Sequence, residues 1–173
     1  MSGAPVSMRV GQGLDSHRFS DDPERPLVLG GVVVTGDGAR GLEGHSDADA
    51  VAHAVADAIL GAAGLGDLGR HAPDTDPRWK GADSMEILSR VVTLVHQAGW
   101  SVVNVDCTVV AERPKLAPFV DGMSERLGSV LGAPVSVKAT TAEGMGAIGR
   151  SEGIACNAVV LLSAAPGGPG GSV

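Results

Sequence analysis

Aromatic residues are nearly absent from this 173-residue chain, which has two Phe, two Trp and no Tyr. Its core must be built from Val, Leu, Ile and Ala, and each of these buries less apolar area than a ring does. The apolar fraction is still 43%, which excludes a disordered chain. A core of small side chains gains less from packing as a lone unit, so self-association is expected. Basic residues are also scarce: thirteen Lys and Arg stand against twenty Asp and Glu, for a net charge of −7. There is no basic cluster, which argues against a nucleic-acid partner. An acidic chain can still bind phosphates where metals, backbone N–H groups or a few cations help locally. Only two Cys occur, Cys107 and Cys156, both in apolar strand-like stretches, and they read as buried free thiols. No apolar run reaches the roughly 18 residues of a membrane span, and "MSGAPVS" lacks the charged and apolar regions of a signal peptide. The expectations are no membrane partner and a cytoplasmic location.

The length suits one domain over residues 1–165. The Pro/Gly-rich "PGGPGGSV" at 166–173 reads as a disordered tail. "VSMRVGQGL" predicts a first strand, bent or weakened by Gly11 and Gly13, and "PLVLGGVVV" a second that turns at Gly30-Gly31. A helix follows in "SDADAVAHAVADAILGAAGLG", capped by Ser46 or Asp47 and ended by Gly64 or Gly66. "GDLGRHAPDTDPRWKGAD" reads as a long loop, and loops of that length are often functional. Ile87, Leu88, Val91, Leu94 and Val95 recur at helical spacing. In "WSVVNVDCTVVAE" strand alternation puts Val103, Val105, Cys107 and Val109 on one face. A third helix falls within 114–132 with Pro114 in its first turn. Two final strands are joined by a Gly-rich segment. The fold class is α+β: a single mixed β-sheet with helices packed on one face.

Asp15 and His17, in "GLDSHRF", project to the same side of an extended segment, with Ser16 opposite. They suit two arms of a metal site, or simply a polar turn after a strand. Asp49, His53 and Asp57 follow at i, i+4, i+8, one stripe along an apolar helix. Such a stripe commonly faces water, but this one carries no Lys or Arg and only short groups. His53 would make a third arm, and two His with one Asp leave a tetrahedral zinc one open position. "HAPDTDP" offers Asp74 and Asp76 between prolines, an Asx-turn loop or a binding loop. "ERPK" places Arg113 and Lys115 beside a helix start, fit for a phosphate or for a surface turn. "KATTAEGMG" sets Thr140, Thr141 and Glu143 at a strand end, where hydroxyls and a carboxylate suit a phosphate and a hard cation. Together these groups describe an enzyme handling a phosphorylated small molecule.

In order along 8–162, "RVGQGLDSHRF", "LGGV", "GLEGHSDADAVAHAVADAILGAAGLGDLGRHAPDTDPRWKGADS", "NVDCTVVAERPKLAPF" and "VKATTAEGMGAIGRSEGIACNAVVLL" resemble the 2-C-methyl-D-erythritol 2,4-cyclodiphosphate synthase family of the non-mevalonate isoprenoid pathway. The resemblance implies a lyase that cyclises 4-diphosphocytidyl-2-C-methyl-D-erythritol 2-phosphate and releases CMP, without consuming water. It implies a homotrimer with sites between adjacent subunits. It implies that Asp15, His17 and His53 hold one Zn²⁺ per subunit and that Glu143 holds a second divalent cation, Mg²⁺ or Mn²⁺. His45 and Thr141 match residues that stabilise the transition state, and Ser46 should contact substrate. Asp67, Leu68 and Gly69 match the positions holding the erythritol hydroxyls. Ala72, Pro73, Asp74, Thr75 and Asp76 match the loop that closes over that sugar. The cytidine stretch corresponds to Ala111, Glu112, Arg113, Pro114, Lys115, Leu116 and Ala117. Thr140 and Ala142 complete the nucleotide pocket, with Ala147 close by. Arg150 matches a position near the diphosphate or the trimer axis.

The chain departs from the family at four places. Gln12 and Leu14 stand where His and Phe are common, and Ala72 and Ala147 where many members have Phe. These departures bear on packing around substrate and not on metal chemistry. Asp49 or Asp57, at i±4 from His53, would orient that ligand. No cytidylyltransferase domain is expected on the chain. Two other readings fit the same residues: a zinc phosphohydrolase, and a non-catalytic trimeric protein that binds a nucleotide or isoprenoid diphosphate.

Overall fold

The computed structural model describes residues 7–164; the expected tail at 166–173 lies outside them. Among the described residues, six strands and five α-helices follow in the order β1 (Met8–Arg18), β2 (Leu27–Leu29), β3 (Val32–Val34), α1 (Ala50–Ala63), α2 (Leu68–His71), α3 (Ser84–Gln97), β4 (Trp100–Val110), α4 (Val120–Leu131), β5 (Val135–Thr140), α5 (Gly146–Gly149) and β6 (Gly153–Ala164). The main sheet runs β1-β6-β4-β5, antiparallel except for the parallel β4–β5 pair. It is the expected mixed sheet of an α+β fold. The expectation of a single sheet needs correction: the expected second strand is two short ones, and their β2–β3 hairpin forms a separate two-stranded sheet. Its turn is the expected Gly30-Gly31, both at positive φ, where a side chain is disfavoured.

α1 is the central helix. Eleven of its fourteen residues are buried, so it has no true solvent face. Its cap is Asp49 rather than Ser46 or Asp47, and Gly64 ends it in the left-handed conformation. The Asp49 carboxylate also accepts from Gly30 N and Gly31 N, at 2.8 and 2.7 Å. Thus one buried carboxylate starts the helix and pins the hairpin turn. Complete burial pushes its pKa up, against N–H donors that favour the ionised form. Asp49 therefore has a structural task and does not orient His53 through its side chain.

Gly11 and Gly13 do more than bend β1. A Cβ on Gly13 would sit 2.0 Å from the Ala54 carbonyl oxygen, and one on Gly11 2.0 Å from that of Ala58. The helix backbone thus lies directly on the strand, and only glycine fits beneath it. Ala54, Ala58 and Ala62 on the helix are the matching small residues and are themselves buried.

Three other expectations need correction. Val103 is 39% exposed, while Val105, Cys107 and Val109 are buried. A bulge between Val102 and Asn104 shifts the alternation there. The third helix begins at Val120, after a 3₁₀ turn (Ala117–Phe119) that contains Pro118; Pro114 precedes both. The long loop after α1 carries the short helix α2 and a 3₁₀ turn (Pro77–Trp79), capped by Asp67 and Asp76. Both cysteines are buried and free, as expected.

Helices cover one face of the main sheet. On the other face Met8, Val10 and Leu14 of β1 are 60–70% exposed, beside the half-exposed Val159 of β6. Among the described residues no helix is long and apolar enough to cross a membrane.

Gly13→Ala is expected to lower the unfolding free energy by about 3 kcal/mol, the upper end for overpacking, because the obstacle is backbone. Urea denaturation checks this, and a loss under about 1 kcal/mol would mean that the helix tolerates a side chain beneath it.

Candidate metal centre and substrate cavity

β1 alternates faces. Gly11, Gly13, Asp15 and His17 point toward the helices, and Gln12, Leu14 and Ser16 point away. The close seat of α1 then carries His53 to the end of that row. Asp15 Oδ2 lies 2.8 Å from His17 Nε2 and 3.2 Å from His53 Nδ1, and the two ring nitrogens are 3.3 Å apart. The edge of a tetrahedral zinc site with bonds near 2.0–2.1 Å is about 3.3 Å. The three spacings therefore fit one zinc-sized cation. Among the described residues this is the one group of three or more His, Cys, Asp or Glu side chains so placed.

The electrostatics agree. Burial works to raise the Asp15 carboxyl, but hydrogen bonds and charge from His17 and His53 outweigh it and hold the group well below the usual carboxylate range. Burial works to lower the His17 imidazole, yet the Asp15 carboxylate and the Glu43 carbonyl raise it. That carbonyl accepts from His17 Nδ1 at 2.7 Å, which leaves the Nε2 lone pair facing the cluster.

The cluster opens into a cavity of about 410 Å³, also lined by His45, Ser46, Asp57, Leu68, Gly69, Ala72, Pro73 and Asp74, with Trp79 and Ile87. His45 Nε2 donates to the Asp76 carbonyl at 3.1 Å. The loop around Ser46 is anchored by Arg25, which donates to the Gly44 and Ser46 carbonyls at 3.1 and 2.5 Å. Ala48, within it, has φ +58°, a conformation that costs a non-glycine residue about 1–2 kcal/mol. The Asp57 carboxylate accepts from Leu68 N at 2.6 Å. Burial pushes its pKa up. It therefore holds the start of α2 and does not orient His53. Asp67 caps α2 and Asp76 pairs with Arg78; neither lines the cavity, nor does the adjacent Thr75.

The remaining candidates lie elsewhere. Ala111, Glu112, Pro114, Lys115, Leu116, Ala117, Thr140 and Thr141 line a separate groove of about 220 Å³ with no residue in common with the cavity. Thr141 Oγ1 donates to Glu143 Oε1 at 2.7 Å, and Glu143 sits at φ +52°. Glu112 Oε1 accepts from Ala142 N and Gly144 N at 2.9 and 3.2 Å, so its carboxylate braces that loop. Arg113 pairs with Asp37, and Arg150 with Glu152 at 2.7 Å. Ala147 belongs to α5.

Sequence reasoning did not single out Ser84, whose Oγ is 2.9 Å from His53 Nε2. A serine one residue after a helix cap has no spacing signal that links it to a histidine 31 positions earlier.

Comparison with known proteins finds close similarity over nearly the whole chain. The model of the YgbB family matches residues 8–163. A 2-C-methyl-D-erythritol 2,4-cyclodiphosphate synthase of Symbiobacterium thermophilum is 57% identical over 90% of this chain and 99% of its own length. The bifunctional enzyme IspD/IspF of Anaeromyxobacter dehalogenans is 56% identical over 95% of this chain, which spans 42% of that longer protein. The solved IspF–CDP complex of Plasmodium falciparum superposes with a TM-score of 0.78 at 32% identity, covering 92% of this chain and 97% of that one.

The linkage of protonation to stability follows from the two opposed shifts. In metal-free protein the His17 contribution is complete below the ordinary imidazole value of 6.5 and is lost as pH rises through the raised one. The Asp15 contribution is complete above the ordinary 3.8 and is lost as pH falls through the depressed value. Proton NMR of metal-free protein should show His17 titrating above 6.5, and Asp15→Asn should lower it, because the carboxylate's hydrogen bond and charge are then gone while burial and the Glu43 carbonyl remain. An unmoved His17 would contradict the pairing.

Proposed function

The chain belongs to the YgbB family of 2-C-methyl-D-erythritol 2,4-cyclodiphosphate synthases, and we propose that it closes this ring from the cytidylated substrate. The 2-phosphate of 4-diphosphocytidyl-2-C-methyl-D-erythritol 2-phosphate attacks the β-phosphorus. One P–O bond forms, the bond from the β-phosphorus to the bridging oxygen breaks, and that oxygen leaves with its electron pair as part of CMP. The observation that carries the reading is the Asp15, His17 and His53 triangle at the mouth of a cavity large enough for a sugar phosphate. The CDP held by the Plasmodium falciparum relative supports a cytidine diphosphate-linked substrate.

In this proposal Asp15, His17 and His53 hold Zn²⁺. When bound, zinc supplies Lewis-acid polarisation of a phosphoryl oxygen. The other roles belong to the chain. Ser46, residues 67–69 and the 72–76 loop bind the erythritol phosphate, and His45 and Thr141 donate to oxygens on which charge develops. Glu143 holds the second divalent cation, Mg²⁺ or Mn²⁺. Residues 111–117 with Thr140 and Ala142 receive the cytidine, and Arg150 lies toward the diphosphate or the trimer axis.

The zinc cavity and the cytidine groove share no lining residue. We place the two in one active site across a subunit boundary of a homotrimer. The exposed apolar row on the uncovered sheet face supports self-association there, because such a patch is costly in water. Leu14 belongs to that face rather than to the metal clamp. The proposed unit is one domain over 1–165, acting in the cytoplasm on a polar, phosphorylated substrate.

Phosphorus NMR of the product, with Zn²⁺ and Mg²⁺ supplied, is the direct test. A cyclic diphosphate with CMP is expected; linear phosphates would favour hydrolysis instead. His53→Ala and Thr141→Ala are each expected to be inactive, and refolding the two together should restore activity through mixed trimers. No recovery on mixing would argue against a shared site.

A further inference from the structure

We infer that Ser84 and Asp47 form a positioning pair that fixes the tautomer and orientation of His53. The inference rests on the reading of Asp15, His17 and His53 as a metal site and adds two residues to its support. Ser84 is the first residue of α3 and is 1% exposed. Its backbone N–H donates to Asp47 Oδ2 at 3.0 Å, and its hydroxyl donates to Asp47 Oδ1. An ionised carboxylate only accepts, and a hydroxyl has only one proton. That proton is therefore committed to Asp47, and Ser84 presents a lone pair to His53 Nε2, 2.9 Å away. With a cation between the three ligands, Nε2 carries the imidazole proton and donates it to Ser84, and Nδ1 presents its lone pair at the point where it meets Asp15 and His17, the arrangement a metal ligand needs.

The pair also ties His53 to rigid structure. Asp47 Oδ1 accepts from Asp49 N at 3.2 Å, and Asp47 N donates to the Ala82 carbonyl at 3.1 Å. The loop before α1 is thereby bound to the start of α3. Ser46 Oγ approaches the same His53 nitrogen at 3.3 Å, but it also accepts from Ala48 N and is the longer contact. The two imidazoles are thus set by different means: His17 by the Glu43 carbonyl, and His53 by a side-chain relay of two residues.

Two measurements on the full chain test this. In zinc-loaded protein labelled with ¹⁵N-histidine, the His53 Nε2 proton should be protected from exchange with water by its bond to Ser84. A His53 Nε2 proton that exchanges as fast as that of an exposed imidazole overturns the inference. Zinc affinity, measured by competition with a chromophoric chelator, should fall at least tenfold in Ser84→Ala. The His53 Nε2 proton in that variant should lose its protection while the circular dichroism stays native. Zinc affinity within twofold of the unaltered protein also overturns it. If the unaltered protein binds no zinc, the metal reading fails first, and the inference that rests on it falls with it.

Discussion

The seat of α1 on β1 governs the rest of the molecule. Two glycines on the strand, and alanines on the helix, let backbone meet backbone with no side chain between them. This contact sets how far His53 stands from the strand row that carries Asp15 and His17. The scarcity of aromatics follows the same logic, since a ring between helix and sheet would hold them apart. Asp49 locks the arrangement from the other end, joining the first turn of α1 to the β2–β3 hairpin through four N–H donors.

Given that seat, the chemistry is local. Three ligand atoms converge at zinc-like spacings, and a carbonyl and a buried hydroxyl orient the two imidazoles from behind. Without metal, a carboxylate between two imidazoles favours a proton on an imidazole. Its depressed pKa and the raised pKa of His17 express the same demand for positive charge. A dication meets that demand more fully than a proton does.

Much of this was legible in the sequence. Period-two alternation put Asp15 and His17 on one side, and helical spacing supplied His53. The α+β order and the Gly30-Gly31 turn were also readable. What was not legible depends on tertiary contact. Asp49 and Asp57 looked like partners of His53 by spacing, but each spends its carboxylate on backbone N–H groups of another segment. Gly11 and Gly13 read as weak points of a strand, because nothing local shows that a helix lies on them. The bulge near Val103 reversed a face assignment that pure alternation had made. Leu14 and Gln12 sit close to Asp15 and His17 in sequence and face away from them in space.

The central claim is that helix-on-strand contact builds a three-residue metal centre. Anomalous diffraction at the zinc absorption edge, from crystals grown with zinc, tests it most directly. The account predicts one strong peak per chain, about 2 Å from each of Asp15 Oδ2, His17 Nε2 and His53 Nδ1. A peak held by other residues, or no peak between these three, would contradict it.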